Sequence, residues 1–188
     1  MFARWSERLI RLSSGRATLV ALIVFLAFTA LVLPGLAASS AERTGGARQP
    51  DTSLFYTAAD LYAMAEAFGP AGRQAYIGAR FTFDLVWPLV YGTFLVTAIS
   101  WLAGRVFRPD AGQALGRRLN LLPILGVAFD YLENISTTLV MAGYPAQTPI
   151  IDALAGVFTL VKWLLVGGSC VALVALAIAA LAQRAQGR

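Results

Sequence analysis

Two carboxylates and an amide interrupt an apolar segment that runs from about Leu119 to Ala142. Asp130, Glu133 and Asn134 lie near its middle, far from the charged residues that bound it. A charged side chain at the centre of a membrane costs about 2.5–3.5 kcal/mol on insertion scales. Such side chains are retained where they face other protein groups or a water-filled cavity. The segment therefore predicts a helical bundle in which other elements supply partners for these residues.

The composition agrees with this interpretation, because 58% of the residues are hydrophobic and only 13% are charged. About 30 Å of hydrocarbon requires roughly 20 apolar residues at 1.5 Å per residue. We predict four spans, at about residues 17–38, 81–103, 119–142 and 150–182. The predicted fold class is all-α: a four-helix transmembrane bundle that forms a single integral membrane domain over residues 1–188.

The polar segment between the first two spans contains one helix pattern. Thr57 and Asp60 resemble a capping box, and Gly69 followed by Pro70 indicates a helix end. Apolar residues between these signals recur at helical spacing. We predict a short extracytoplasmic amphipathic helix at about residues 57–69, lying on the membrane surface or capping the bundle.

Two further predictions concern the end of the first span and the residues after it. Gly35–Ala41 resembles a signal-peptidase site, but the apolar run before it is longer than the usual h-region of 7–15 residues. We expect the first span to be retained as an anchor, with cleavage as the alternative. Ser39–Ser53 contains Gly45, Gly46 and Pro50 and predicts a flexible loop.

Arginine is distributed unevenly among the connections. Residues 1–16, residues 105–118 and the C-terminal end are basic, whereas residues 39–80 balance arginines with acids and residues 143–149 carry no charge. Basic connections are retained on the cytoplasmic side of a membrane. We therefore predict a protein of the bacterial inner membrane with both termini in the cytoplasm.

The residue types that are absent narrow the chemistry. The chain has no histidine, which excludes histidine-ligated haem, carboxylate–histidine di-iron sites, imidazole zinc sites and Ser-His-Asp triads. Cys170 is the single cysteine and has no partner for an intrachain disulfide. We interpret the net charge of +5 as the arginine excess that sets the orientation of a membrane protein. Nucleic-acid binding is not expected, because no aromatic–basic surface pattern accompanies the charge. We expect no metal site, no cofactor and no nucleic-acid partner.

The candidate catalytic residues are Asp130, Glu133 and Lys162. Asp130, Glu133 and Asn134 share one face of a helix because they stand at positions i, i+3 and i+4. Lys162, in the last span, lies at a comparable depth and predicts an ion pair with Glu133 or with Asp130. Since one lysine does not neutralise both acids, we expect at least one carboxylate to hold a proton.

The candidate ligand-binding residues are Asp84, Tyr91, Asn134 and Arg80. Arg80 precedes Asp84 by four residues and can pair with it across one helical turn. Pro88 removes the hydrogen bond to the backbone carbonyl of Asp84, so a kink is expected there. We predict a polar pocket that opens outward at this kink, with Asp84 and Tyr91 in its wall.

Four sequence blocks between about Thr57 and Trp163 together resemble a family of small four-span bacterial membrane proteins. The resemblance implies that the four blocks belong together and assigns no activity to them. The blocks are Gly72-Arg73-x-x-Tyr76, Asp84-x-x-x-Pro88-x-x-Tyr91, Asp130-Tyr131-x-Glu133-Asn134 and Phe158-Thr159-x-x-Lys162-Trp163.

Three functions remain open at this point. The first is binding or processing of a lipid-like or small amphiphilic ligand, by carboxylate acid–base chemistry if the protein is an enzyme. The second is a subunit of a proton-coupled transporter, and the third is a structural or assembly protein whose buried charges lock helix packing. Membrane lipids are the expected partners, together with a small amphiphilic ligand under the first function. Association as a homo-oligomer or with a partner membrane protein is a further alternative.

Overall fold

The computed structural model describes residues 2–107 and 114–186, which are helical over most of their length and contain no strand. Part of the basic connection at residues 105–118 and the C-terminal Arg188 therefore lie outside the described residues. The helices in chain order are α1 (Phe2–Leu12), α2 (Gly15–Leu31), α3 (Leu33–Arg43), α4 (Ala58–Arg80), α5 (Phe83–Val106), α6 (Ala114–Arg117), α7 (Leu122–Gly143) and α8 (Ile151–Ala185).

Three helical segments among the described residues are long and apolar enough to cross a membrane. They are Gly15–Arg43, which combines α2 and α3, Phe83–Val106 and Ile151–Ala185. These segments indicate a membrane protein and correspond to three of the four predicted spans. Helix α7 has 22 residues, which is long enough to cross. It is not among the three, because the polar residues at its centre lower its mean hydropathy.

Helix α4 begins where the sequence predicted and ends later. Asp60 Oδ2 accepts a 2.8 Å hydrogen bond from the Thr57 amide, and the Asp60 amide donates to Thr57 Oγ1 at 3.2 Å, which completes the capping box. The helix is broken at Gly69, whose φ of 62° is accessible to glycine, and resumes at Pro70. The predicted end near residue 69 is therefore a break, and a second half continues to Arg80.

The chain forms two compact units, each built from separate stretches of sequence. We call one of them the central unit; it consists of Ala27–Leu89 and Val127–Trp163. We call the other the terminal unit; it consists of the described residues of Met1–Leu26, Val90–Gly126 and Leu164–Arg188.

The terminal unit has an apolar core formed by Ile99, Leu102, Ala103 and Leu176. Polar contacts attach α1 to the turn before α7. Ser6 Oγ donates to the Arg117 carbonyl at 2.8 Å, and the Arg117 guanidinium bonds to both carboxylate oxygens of Glu7 at 2.7 and 2.6 Å. Asn120, which is fully buried, donates to the Ser6 carbonyl at 3.1 Å and to Ser100 Oγ at 3.0 Å.

The central unit has a larger core in which the first half of α4 packs on α7 and α8. The predicted apolar face of α4 is buried there, together with residues of the preceding loop and of both other helices. The core residues are Tyr56, Leu61, Met64, Ala65, Phe68, Tyr76, Val140, Met141 and Ala155.

The segment predicted as a flexible loop, Ser39–Ser53, is helical near both of its ends and irregular between them. Helix α3 extends to Arg43, and a 3-10 turn covers Pro50–Thr52. Ser53 accepts a 2.9 Å hydrogen bond from Trp163 Nε1 at its carbonyl oxygen. At Gly156 of α8, an added Cβ would overlap the carbonyl oxygen of Tyr56. The loop that precedes α4 therefore lies directly against α8.

Candidate functional site

Helix α7 presents a polar stripe to the interior of the central unit. Asp130, Glu133, Asn134 and Thr137 are 9%, 0%, 7% and 0% exposed. They share this stripe because residues three and four apart lie on one face of a helix. Thr137 Oγ1 donates to the Glu133 carbonyl at 2.9 Å, so its hydroxyl is satisfied by the backbone.

Lys162 lies against both acids of this stripe. Its Nζ forms an ion pair with Glu133 Oε2 and is 4.0 Å from Asp130 Oδ1. The ammonium group also lies 5.1 Å from the centre of the Trp163 ring. The pairing that the sequence predicted from depth is therefore present, and Lys162 contacts both candidate partners.

Arg80 forms a second ion cluster. Its Nε is 3.0 Å from Asp84 Oδ2, which confirms the predicted pairing across one turn. Its two terminal nitrogens bond to the two carboxylate oxygens of Asp51 at 2.7 and 2.5 Å. The guanidinium lies 4.2 Å from the centre of the Tyr76 ring, and the Tyr76 hydroxyl donates to Asp51 Oδ1 at 3.0 Å.

Asn134 connects the two clusters. Its Oδ1 accepts a 3.0 Å hydrogen bond from Arg80, and its Nδ2 donates to Asp130 Oδ1 at 3.4 Å. An asparagine amide carries both a donor and an acceptor, so it can join a cation on one side to a carboxylate on the other. The result is one continuous polar network within the central unit.

Acids outnumber cations in this network. It contains two cationic side chains and four carboxylates, an excess of two acids. The carboxylate of Glu133 is fully buried, and its Oε1 accepts no hydrogen bond from the described residues. A buried carboxylate oxygen without a donor is costly, so the site favours binding of a proton or of a group that donates hydrogen bonds. The members are Asp51, Arg80, Asp84, Asp130, Glu133 and Lys162.

Two tyrosines border the network with protonated phenols. Tyr56 is 1% exposed and its hydroxyl is 3.0 Å from Thr159 Oγ1. Burial raises the pKa of Tyr56, and the nearby Glu133 charge raises it further. Burial also raises the pKa of Tyr76. Both hydroxyls therefore remain hydrogen-bond donors at neutral pH.

The residues that sequence analysis did not select are Asp51, Tyr56 and Tyr76. Asp51 and Tyr56 stand in a polar loop, and the sequence there does not indicate that they are buried. Acids and tyrosines are common on exposed surfaces. Tyr76 does belong to one of the four sequence blocks, and this was the available signal. Arg80 lies four residues after it on the same helical face.

Tyr91 falls in a different unit from the other three candidate ligand-binding residues. Tyr91 belongs to the terminal unit and is 7% exposed, whereas Asp84, Arg80 and Asn134 belong to the central unit. Helix α5 runs through Pro88 as one element. Near this proline, the Tyr131 hydroxyl donates to the Leu85 carbonyl at 2.8 Å and so joins α7 to α5.

Comparisons of this chain with protein-family models, with curated proteins and with solved structures find no match. Within the described residues, no group of three or more histidine, cysteine, aspartate or glutamate side chains is arranged to hold a metal ion. The site is therefore interpreted from its own geometry.

Proposed function

We propose that the chain is a four-span protein of the bacterial inner membrane, with α7 as the fourth span of a transmembrane helix bundle. The support comes from the surface of α7. Leu132, Ile135 and Leu139 are 40%, 59% and 47% exposed, while the polar stripe on the opposite side is buried. A helix of a soluble protein shows the reverse pattern. An apolar exposed face suits contact with lipid, and a polar face that turns inward suits a span with ionisable residues.

The proposed orientation places both termini in the cytoplasm and α4 on the extracytoplasmic side. It follows from the arginine-rich connections and an even number of spans. Exposed arginines of α1 agree with a helix at an anionic membrane surface, since Arg4, Arg8 and Arg11 accompany the exposed Trp5.

For the network itself, we propose binding of the polar head of a small amphiphilic or lipid-like ligand. The observation that carries this proposal is the Glu133 carboxylate, which is fully buried and has an oxygen without a hydrogen-bond donor. A ligand hydroxyl or amine would supply that donor. If the protein is an enzyme, Glu133 or Asp130 would exchange a proton with the ligand, and Lys162 would stabilise the ionised carboxylate.

A second candidate function is proton coupling in a transporter. The observation that favours it is the continuity of the network from Asp51, whose side chain is 28% exposed, to the fully buried Glu133. The connecting residues are Arg80, Asn134 and Asp130. Because acids exceed cations along this path, protonation would relieve repulsion between carboxylates.

Native mass spectrometry of the protein released from membranes tests the first proposal. The wild-type protein is expected to retain a small amphiphile, and Glu133→Gln to lose it. Glu66→Gln, which removes a carboxylate from the exposed surface of α4, is the matched control and should retain the amphiphile. Equal retention by the wild-type protein and Glu133→Gln would contradict ligand binding at Glu133.

Proton coupling is tested separately in proteoliposomes that contain a pH-sensitive dye. Wild-type protein is expected to move protons under a membrane potential, and Glu133→Gln to lose that flux. If neither protein moves protons and neither holds an amphiphile, only a structural role for the buried charges survives.

A further inference from the structure

The carboxylate of Asp51 is bound by the side chains of Arg80 and Tyr76. Two terminal nitrogens of Arg80 face its two oxygens at 2.7 and 2.5 Å, and the Tyr76 hydroxyl donates to Oδ1 at 3.0 Å. This paired geometry is the one with which arginine binds carboxylates and phosphates alike. The receiving groups are deeply buried, since Arg80 is 7% and Tyr76 is 4% exposed.

Asp51 is the accessible member of this contact, because its side chain is 28% exposed. It lies on the 3-10 turn Pro50–Thr52, and both ends of this turn are anchored. On one side Gln49 bonds to Ser40 at 3.0 Å and to Thr44 at 3.3 Å. On the other side the Ser53 carbonyl accepts the bond from Trp163. Pro50 is fully buried, whereas Asp51 is partly exposed and Thr52 is exposed. The Asp51 side chain can therefore swing outward while Pro50 and the chain on either side of the turn stay in place.

Exchange of Asp51 for another anion preserves the charge balance of the network. Arg80 keeps Asp84 at 3.0 Å and Asn134 at 3.0 Å when Asp51 leaves, so its charge does not become unpaired. An incoming monoanion restores the charge that Asp51 removes. An uncompensated buried charge, which would be strongly destabilising, does not arise.

We propose that Asp51 is an internal substitute for the anionic head of the ligand. A phosphate or carboxylate group binds Arg80 and Tyr76, displaces the Asp51 carboxylate into solvent, and loosens the adjacent exposed Thr52 while Pro50 stays buried. This inference rests on the proposed function and adds the charge class of the head group. Glu133 then accepts a hydrogen bond from a donor elsewhere on the same ligand.

The test uses the full chain in micelles of a neutral maltoside detergent, with dodecyl phosphate as the probe. Asp51→Asn removes the competing charge and should bind dodecyl phosphate about tenfold more tightly than wild-type protein, which corresponds to about 1.4 kcal/mol. Arg80→Lys removes the paired geometry and should lose most of the binding. Glu66→Gln removes an exposed carboxylate from the same unit and should bind as wild-type protein does.

Movement near Asp51 is measured in a protein that keeps Asp51, Tyr76 and Arg80. The measurement therefore does not depend on whether Asp51→Asn folds. A nitroxide is attached at Thr52→Cys in a Cys170→Ala background. Dodecyl phosphate should increase the mobility of the nitroxide, and dodecyltrimethylammonium, which has the same chain and a cationic head, should not. Inorganic phosphate alone distinguishes a free anion from a lipid head group. If it binds and mobilises the label as strongly as the alkyl phosphate, the anion site stands and its ligand is the free anion.

The failures are distinguishable. If Glu133→Gln loses the co-purified amphiphile but Asp51→Asn leaves the affinity for dodecyl phosphate unchanged and the label immobile, the anion inference is wrong and the ligand proposal stands. If wild-type protein carries no amphiphile and binds neither dodecyl probe, both are overturned.

Discussion

Asn134 is the residue on which the unity of the network depends. Its amide accepts from Arg80 at 3.0 Å and donates to Asp130 at 3.4 Å. Aspartate at this position would accept but not donate, and leucine would do neither. Either replacement would remove at least one hydrogen bond to a charged side chain, which costs about 1.5–3 kcal/mol.

Removal of the Lys162 charge should be more costly than removal of the whole ion pair. Lys162→Met leaves Glu133 and Asp130 buried without their cation, and we expect a loss of about 3–5 kcal/mol in the free energy of unfolding. The double variant Glu133→Gln/Lys162→Met should recover much of that loss, because no unpaired charge remains at Glu133. The free energies of unfolding of the single and the double variant are measured in detergent, with Glu66→Gln as the control. Additive losses in the double variant would show that the two side chains do not interact.

The pairing of Lys162 was predictable and the role of Asp51 was not. A buried charge requires a partner, and Lys162 had the right depth relative to Glu133. Asp51 stands in a polar loop where an acid needs no partner, so its contact with Arg80 depends on how the loop folds back. Tyr56 was hidden for the same reason.

At the scale of elements, the contact between the loop before α4 and helix α8 determines whether Asp51 reaches Arg80. The Trp163–Ser53 bond and the bond between Tyr56 and Thr159 hold this loop against α8. Gly156 permits the close approach, because a side chain there would overlap the Tyr56 carbonyl.

Gly156→Ala should therefore displace the loop. We expect a destabilisation of about 1–3 kcal/mol, the usual cost of overpacking, measured by thermal unfolding in detergent. Gly167→Ala is the matched control on the same helix, since an added Cβ there has no atom within 4 Å. It should be neutral or stabilising by up to about 1 kcal/mol. Equal effects of the two substitutions would contradict the described contact.

The attachment of α1 should depend on pH. The hydrogen bond from Arg117 lowers the pKa of Glu7 below its usual value of 4.5. Because the folded pKa is the lower one, this contact contributes fully above pH 4.5 and is lost as the pH falls through the folded pKa. Hydrogen exchange of α1, corrected for intrinsic rates, should accelerate in that acidic range. Glu7→Gln should show faster exchange at neutral pH and little further change on acidification.

The sequence predicts the start of α4 but not its end. Gly69-Pro70 has the composition of a helix end, and Gly69 does leave the helical conformation. Proline is also favoured in the first turn of a helix, so the same pair can start a new one. Sequence alone does not distinguish the two outcomes, and the second half that carries Tyr76 and Arg80 was missed.

At the scale of the whole molecule, the proposed topology places Thr52 outside and Gln186 inside. Both are exposed, and each can carry a single cysteine in a Cys170→Ala background. A membrane-impermeant maleimide added to spheroplasts should label Thr52→Cys readily, and Gln186→Cys only after lysis. Labelling of both from outside would contradict four spans with cytoplasmic termini.

The helical class and three of the spans followed from long apolar runs, which report the lipid solvent directly. The fourth span was predicted from the same kind of run, but α7 is not among the three described helices that are apolar enough to cross, because its polar stripe lowers its mean hydropathy. The polar stripe that suggests a function for α7 therefore also lowers the hydropathy by which a span is recognised.

The central claim is that the carboxylates of α7 face Lys162 inside the folded protein. Solid-state NMR in bilayers measures this directly, because the chain has a single lysine and its Nζ signal is unambiguous. Dipolar dephasing between ¹⁵Nζ and carboxylate ¹³C should place the nitrogen within about 4 Å of two carboxylates, and Glu133→Gln should remove the stronger carboxylate coupling. Absence of carboxylate dephasing in the wild-type protein, with Glu133 and Asp130 exposed to acyl chains, would contradict the account.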